Sequence, residues 1–191
     1  MRYQVGHPLE EGRNVSVFSL HDNLCPNNQK VFTLIREPAN QKELVALARA
    51  IDFRKSIQHP CLPAILDLAF RGRNPGVISN WIDLPTLDSL IGGIPWNKAV
   101  EIAATLSDIL DQLHKKNLCI GYLSPRKIFI DFEGRPVLNF LLNRKNLISE
   151  ASDYSRRYAS REYLESGKVS PAGDNYSLGI VLFELLSGRY P

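Results

Sequence analysis

The chain has 191 residues, 44% hydrophobic and 23% charged, a globular composition sized for one domain or one two-part unit. Its 23 basic and 20 acidic residues leave a formal charge of +3 without a long basic stripe, which argues against a nucleic-acid binder. Three cysteines, Cys25, Cys61 and Cys119, form no C-x-x-C pair and fit reduced thiols better than a disulfide framework or a zinc site.

The N-terminus, Met1-Arg2-Tyr3-Gln4, lacks an apolar signal core. No run reaches the ~18 apolar residues of a spanning helix, so a cytoplasmic location without membrane engagement is expected. Residues 14–20 and Val31-Phe32-Thr33-Leu34-Ile35 are rich in β-branched and apolar types and read as two strands, joined by a loop through Asp22-Asn23 and Pro26-Asn27-Asn28. Asn40 is a good helix cap with Glu43 three residues on. Leu44, Leu47, Ala48 and Ile51 follow at helical spacing, which predicts a helix ending near Ser56. After His59-Pro60, extended segments are expected at 64–70 and 76–81, separated by the turn-prone Arg71-Gly72-Arg73-Asn74-Pro75.

Pro95 suits the first position of a second helix running to about Lys116, with Trp96, Val100, Ala103, Leu106, Leu110 and Leu113 repeating every three or four residues. Short apolar pieces follow at 118–122, 128–130 and 137–142, with a turn at Asp131-Phe132-Glu133-Gly134, and 143–172 reads as polar and irregular. The last helix, about Asn175 to Leu186, is apolar on nearly every face, the pattern of a helix in the middle of a domain. The chain stops soon after it, at Tyr190-Pro191, so a protein partner or a missing C-terminal segment is expected to cover Asn175 to Leu186.

The order of these elements and several phrases resemble the Hanks-type protein kinases of bacteria over essentially the whole chain. The most specific phrase is Asp174-Asn175-Tyr176-Ser177-Leu178-Gly179-Ile180-Val181-Leu182-Phe183-Glu184-Leu185-Leu186-Ser187-Gly188-Arg189-Tyr190-Pro191, similar to that family's central buried helix. His59-Pro60-Cys61-Leu62-Pro63, Leu113-His114-Lys115-Lys116-Asn117, and Thr86-Leu87 after a hinge-like Asn80-Trp81-Ile82 support the register. The resemblance implies an α+β, bilobal fold, with a five-stranded antiparallel sheet and one helix over 1–79, a hinge near 80–84, and an incomplete helical lobe over 80–191.

Kinase chemistry needs a glycine-rich loop and a lysine for the phosphates, carboxylate and amide ligands for metal ions, and an aspartate near the acceptor hydroxyl. By resemblance, the loop pattern falls on Glu10 to Val17, where only Gly12 and Val17 match, and the strand lysine falls on Leu34. The phrase H-R-D-L-K-P-x-N becomes Ile120-Gly121-Tyr122-Leu123-Ser124-Pro125-Arg126-Lys127: Tyr122 stands for the base, Ser124 for a lysine and Lys127 for the metal-binding asparagine. The metal-binding Asp-Phe-Gly falls on Phe140-Leu141-Leu142, or on Asn139-Phe140-Leu141 one residue earlier. Tyrosine is a poor base at neutral pH, and a lysine puts a cation where a cation should bind.

The remnant nucleotide pocket is expected to involve Gly12, Val17, Phe32, Ser79 and Phe129, with Phe32 as roof and Phe129 as floor closing the adenine slot. Asp174, Glu162 and His59 are assigned structural roles, and no metal ligand is expected, His114 having no acidic or cysteine partner at ligand spacing. These positions together imply a catalytically inactive, pseudokinase-like signalling or scaffold module with no cofactor. The alternative is a divergent ATP- and Mg-dependent serine/threonine kinase or other transferase.

Overall fold

The computed structural model describes residues 2–11, 15–25, 29–36, 40–139 and 153–191. Its described residues divide into two compact units. The first holds the residues up to Gln58 and Pro63–Ile82; the second holds His59–Leu62 and everything described from Asp83 onward.

In the first unit, strands β1 (Tyr3–Glu11), β2 (Val15–Asp22), β3 (Lys30–Ile35), β4 (Ile65–Arg71) and β5 (Asn74–Asn80) form one antiparallel sheet in the order β1-β2-β3-β5-β4. β1 escapes the sequence pattern because it carries Gly6 and Pro8, and its pairing to β2 shifts register on both sides of Pro8. An edge strand tolerates both, since one side of its ladder faces no partner. β3 is central and buried at all six positions, so apolar side chains occupy both of its faces. Helix α1 (Gln41–Lys55) starts where Asn40 accepts the Leu44 N–H, packs against β4, and ends with the buried Arg54 donating to the Ile57 and Pro63 carbonyls.

The second unit is built on α2 (Trp96–His114) and α5 (Pro171–Ser187), which pack on each other. The buried stripe of α2 is Ala99, Ile102, Leu106, Ile109, Leu110 and Leu113. Trp96 and Val100, expected in that stripe, are exposed, because the rotation that buries Ile102 and Ile109 turns them outward. β6 (Ile128–Ile130) and β7 (Pro136–Leu138) pair as a small antiparallel ribbon around the Asp131–Gly134 turn.

Two expectations are corrected here. The stretch 143–172 contains α3 (Asp153–Arg156) and α4 (Arg161–Ser166) among its described residues. α4 is capped by the Ser160 hydroxyl, which accepts the Tyr163 N–H, and is ended by left-handed Gly167. Helix α5 begins at Pro171, four residues earlier than expected, with the Ser170 hydroxyl accepting from Gly173 N–H. It is also not enclosed all round among the described residues: Asp174, Ser177, Val181 and Leu185 are buried, whereas Tyr176, Phe183 and Leu186 are exposed. Across the buried side, Tyr158 donates its hydroxyl to Glu184 at 2.6 Å, and Ser177 donates to the Tyr158 carbonyl at 2.6 Å. Among the described residues no helix is long and apolar enough to cross a membrane.

Candidate functional site

In an antiparallel pair, directly opposed residues share a face and successive residues alternate faces. Val17 opposes Thr33, Thr33 opposes Val77, and Val31 opposes Ser79. Val17, Val31, Thr33, Val77 and Ser79 therefore share one face of the first unit's sheet. Phe32, opposed to Phe18 and Ile78, lies on the other face with Leu34.

This register overturns two assignments. Phe32 is not a roof beside Val17 and Ser79; it is 2% exposed in a core with Phe18, Leu20, Leu34 and Ile78, its ring lying over Gly76. Leu34 belongs to the same core, so the β3 residue flanked by Val17 and Val77 is Thr33, which has no charge to offer a phosphate. Lys30 does not supply that charge either. It points to Phe32's face, where its ammonium is 3.0 Å from the buried Asp22 carboxylate, which also accepts a two-pronged contact from Arg2. The Arg2 guanidinium, ahead of Lys30 and the Leu24 N–H, holds Asp22 far below the usual carboxylate range despite its burial.

In the second unit the segment Ile120–Lys127 is fastened by Asp174. One carboxylate oxygen accepts the Gly121 N–H at 2.7 Å; the other accepts the Ile120 N–H at 2.9 Å and lies 2.9 Å from His114 Nε2. Gly121 takes φ 87°, a left-handed conformation that a side chain resists. The fold thus gives His114 the acidic partner that local spacing does not show, sixty residues away in sequence, with Cys119 Sγ within 4.8 Å of both. This trio is closed on itself, because the carboxylate already serves two amides and an imidazole. Burial pushes the Cys119 thiol up, away from the thiolate a metal would need.

Tyr122 is 4% exposed, and its ring is tilted against Tyr163 with centroids 5.6 Å apart. The Lys127 Nζ lies 3.3 Å from the Tyr122 ring centroid and donates to the Tyr122 carbonyl at 3.2 Å. Although Lys127 keeps some exposed area, burial of its ammonium pushes it down to about 7 against an opposing pull from Asp174. Ser124 is fully buried and its hydroxyl has no partner among the described residues. Arg126 turns outward to Asp88 at 2.9 Å and lies 4.0 Å over the Tyr154 ring.

The ribbon beyond this segment is tied back by Asn139 N–H to the Lys127 carbonyl, and Phe129 is half-buried opposite Val137. His59 accepts the Cys61 N–H at Nδ1, and the Cys61 carbonyl accepts from Leu138. Glu162 is exposed in the first turn of α4, where its own N–H and then the Ser160 hydroxyl hold its carboxyl low. Gly12 and Phe140 lie outside the described residues. A magnesium ion requires oxygen ligands at octahedral positions. The Tyr122–Lys127 loop presents a ring and an ammonium, and the nearby Asp174 is already engaged, so these residues do not fit a divalent ion. Sequence reading missed Thr33 and Tyr163; only the hairpin register and the fold of α4 reveal them.

No family model matches the chain. It is similar to the serine/threonine-protein kinase PrkC of Bacillus subtilis, 24% identical over all of this chain and 31% of the kinase's length. It is likewise similar to the kinase pkn2 of Myxococcus xanthus, at 24% over 98% of this chain and 23% of that protein, and to PknB of Mycobacterium leprae, at 26% over all of this chain and 33% of that protein. The chain thus spans about a third or less of the length of these relatives. A five-stranded antiparallel sheet with one helix, followed by a helical unit in which a buried aspartate ties down the loop before β6, accompanies these end-to-end matches, and the chain has a protein-kinase-like α+β fold with sequence similarity to bacterial serine/threonine protein kinases.

Proposed function

We propose that this kinase-like domain transfers no phosphoryl group and serves as a cytoplasmic signalling or scaffold module. The observation that carries the proposal is the Lys127 ammonium lying on the Tyr122 ring. By the family resemblance these two positions bear the metal-binding amide and the proton-accepting carboxylate; here they satisfy each other instead. Thr33, facing Val17 and Val77, adds no cation on the sheet face that carries Ser79. In this proposal Asp174, His59 and Glu162 hold backbone and helix ends. The exposed stripe Tyr176, Phe183 and Leu186 on α5 is the surface that a protein partner or further chain covers.

A second reading, a divergent transferase, is favoured by one feature: a lysine titrating near neutrality is chemically able to accept a proton. Two measurements separate the readings. The scaffold predicts no change in melting temperature with ATP and magnesium and no label passing from radiolabelled ATP to protein acceptors. Transfer that disappears in Lys127→Met would establish the transferase and end the scaffold proposal.

A further inference from the structure

The first unit contains a cavity of about 600 Å³, within the size range of small-molecule sites. Its floor is Leu20, Phe32 and Ile78, from the three strands at the middle of the sheet. One wall is Tyr3 and Val5 on β1; the other is Ala69 and Phe70 on β4. β1 and β4 are opposite edges of the sheet and are not hydrogen-bonded to each other, yet both line this space. The sheet therefore curls around the cavity as an open half-barrel, with its apolar concave side on the face opposite Val17 and Ser79.

An apolar hollow does not define its occupant; the charge at its end does. Arg2 lines the cavity, and its guanidinium shares the buried Asp22 carboxylate with Lys30. Two cations against one carboxylate leave that end with a net single positive charge. The Arg2 side chain is half exposed, whereas the Asp22 side chain is wholly covered, so the charge that a ligand meets there is the positive one. The remaining rim is Gln4 and Asn23, polar but uncharged, while Val5 and Phe70 at the edges are exposed apolar groups.

We propose that this half-barrel binds a small amphiphile with an apolar body and one anionic group, a fatty-acid-like carboxylate, with the body on Leu20, Phe32 and Ile78 and the anion beside Arg2. The apolar body is driven in by burial of its surface, and the carboxylate discriminates by charge-assisted hydrogen bonding to the guanidinium. The site lies wholly within the first unit and is independent of phosphoryl-transfer activity.

Calorimetric titration of the whole chain with decanoate, decan-1-ol and decylamine tests it. The expected result is binding of decanoate at least tenfold tighter than decylamine, with decan-1-ol between them. Arg2→Gln should weaken decanoate several-fold and leave decan-1-ol unchanged. Ala69→Trp should abolish binding by filling the hollow; Val5→Trp, at a more exposed edge position, provides a second block should the first variant fail to fold. Absence of decanoate binding, equal affinity for the acid and the amine, or full binding by a folded Val5→Trp variant would each overturn the site.

Discussion

The ammonium of Lys127 lies 3.3 Å from the centre of the Tyr122 ring and also donates to the carbonyl of that same tyrosine. One side chain is thus held twice by one residue, once through its ring and once through its backbone. Tyr163 packs on the ring as well, and burial makes the charged form of the amine costly.

That cost sets a pH dependence. The folded-state value of about 7 lies below the ordinary 10.5 of lysine, so between these values the unfolded chain holds the extra proton. Stability from this group therefore rises as pH increases from about 7 towards 10.5, at up to about 1.4 kcal/mol per pH unit. Urea unfolding at pH 7.5 and 9.5 should show this gain for the natural chain and its loss in Lys127→Met. Parallel changes in the two proteins would show that the amine is not buried.

Asp174 is fully buried and accepts from the backbone of Ile120 and Gly121. Asp174→Ala leaves both amides without that acceptor, at a cost of roughly 1–3 kcal/mol for each group left unsatisfied. Chemical denaturation should register this loss, and hydrogen exchange at Ile120 and Gly121 should accelerate more than at Leu106 in the middle of α2.

At Gly76 the constraint is steric. An added Cβ would run into the Phe32 ring and would also lie 2.7 Å from the Thr33 carbonyl oxygen. Gly76→Ala should therefore destabilise the sheet by about 1–3 kcal/mol, the usual range for overpacking. Phe32→Leu should recover only part of that loss, because the backbone oxygen remains. Complete recovery in the double variant, measured by thermal melting, would mean that the ring is the sole obstacle.

Asp22 has a depressed folded-state value, so its contribution is complete above its ordinary value of 3.8 and is lost as pH falls towards the folded value. Asp22→Asn should be less stable than the natural chain at pH 7, and the gap should narrow progressively below about pH 4. A gap that stays constant between pH 7 and pH 2.5 would contradict the ionic role of the contacts to Arg2 and Lys30.

Much of this fold was readable from local pattern. The long α2 shows in its three-and-four spacing, α1 in Asn40 and the apolar residues behind it, and the β6–β7 ribbon in the Asp131–Gly134 turn. β1 was hidden by Gly6 and Pro8, and α4 by its six-residue length, too short for a period to emerge even though Ser160 and Gly167 mark its ends. The loop Ile120–Lys127 was legible as a set of substitutions, but its chemistry was not. Nothing local to Tyr122 announces that Lys127 will lie on it, or that Tyr163 will pack against it.

Residue identities alone determined that the Tyr122 and Lys127 positions carry neither an aspartate nor an amide, since a side chain's charge and proton affinity are written in its type. Tertiary structure alone decided which residues share a surface. In a strand, one step of register exchanges faces, so the pairing of β2, β3 and β5 placed Thr33 beside Val17 and committed Phe32 and Leu34 to the opposite core. The same long-range folding brought Asp174 to His114 and curled β1 and β4 around one hollow, because such contacts depend on where distant segments meet in space.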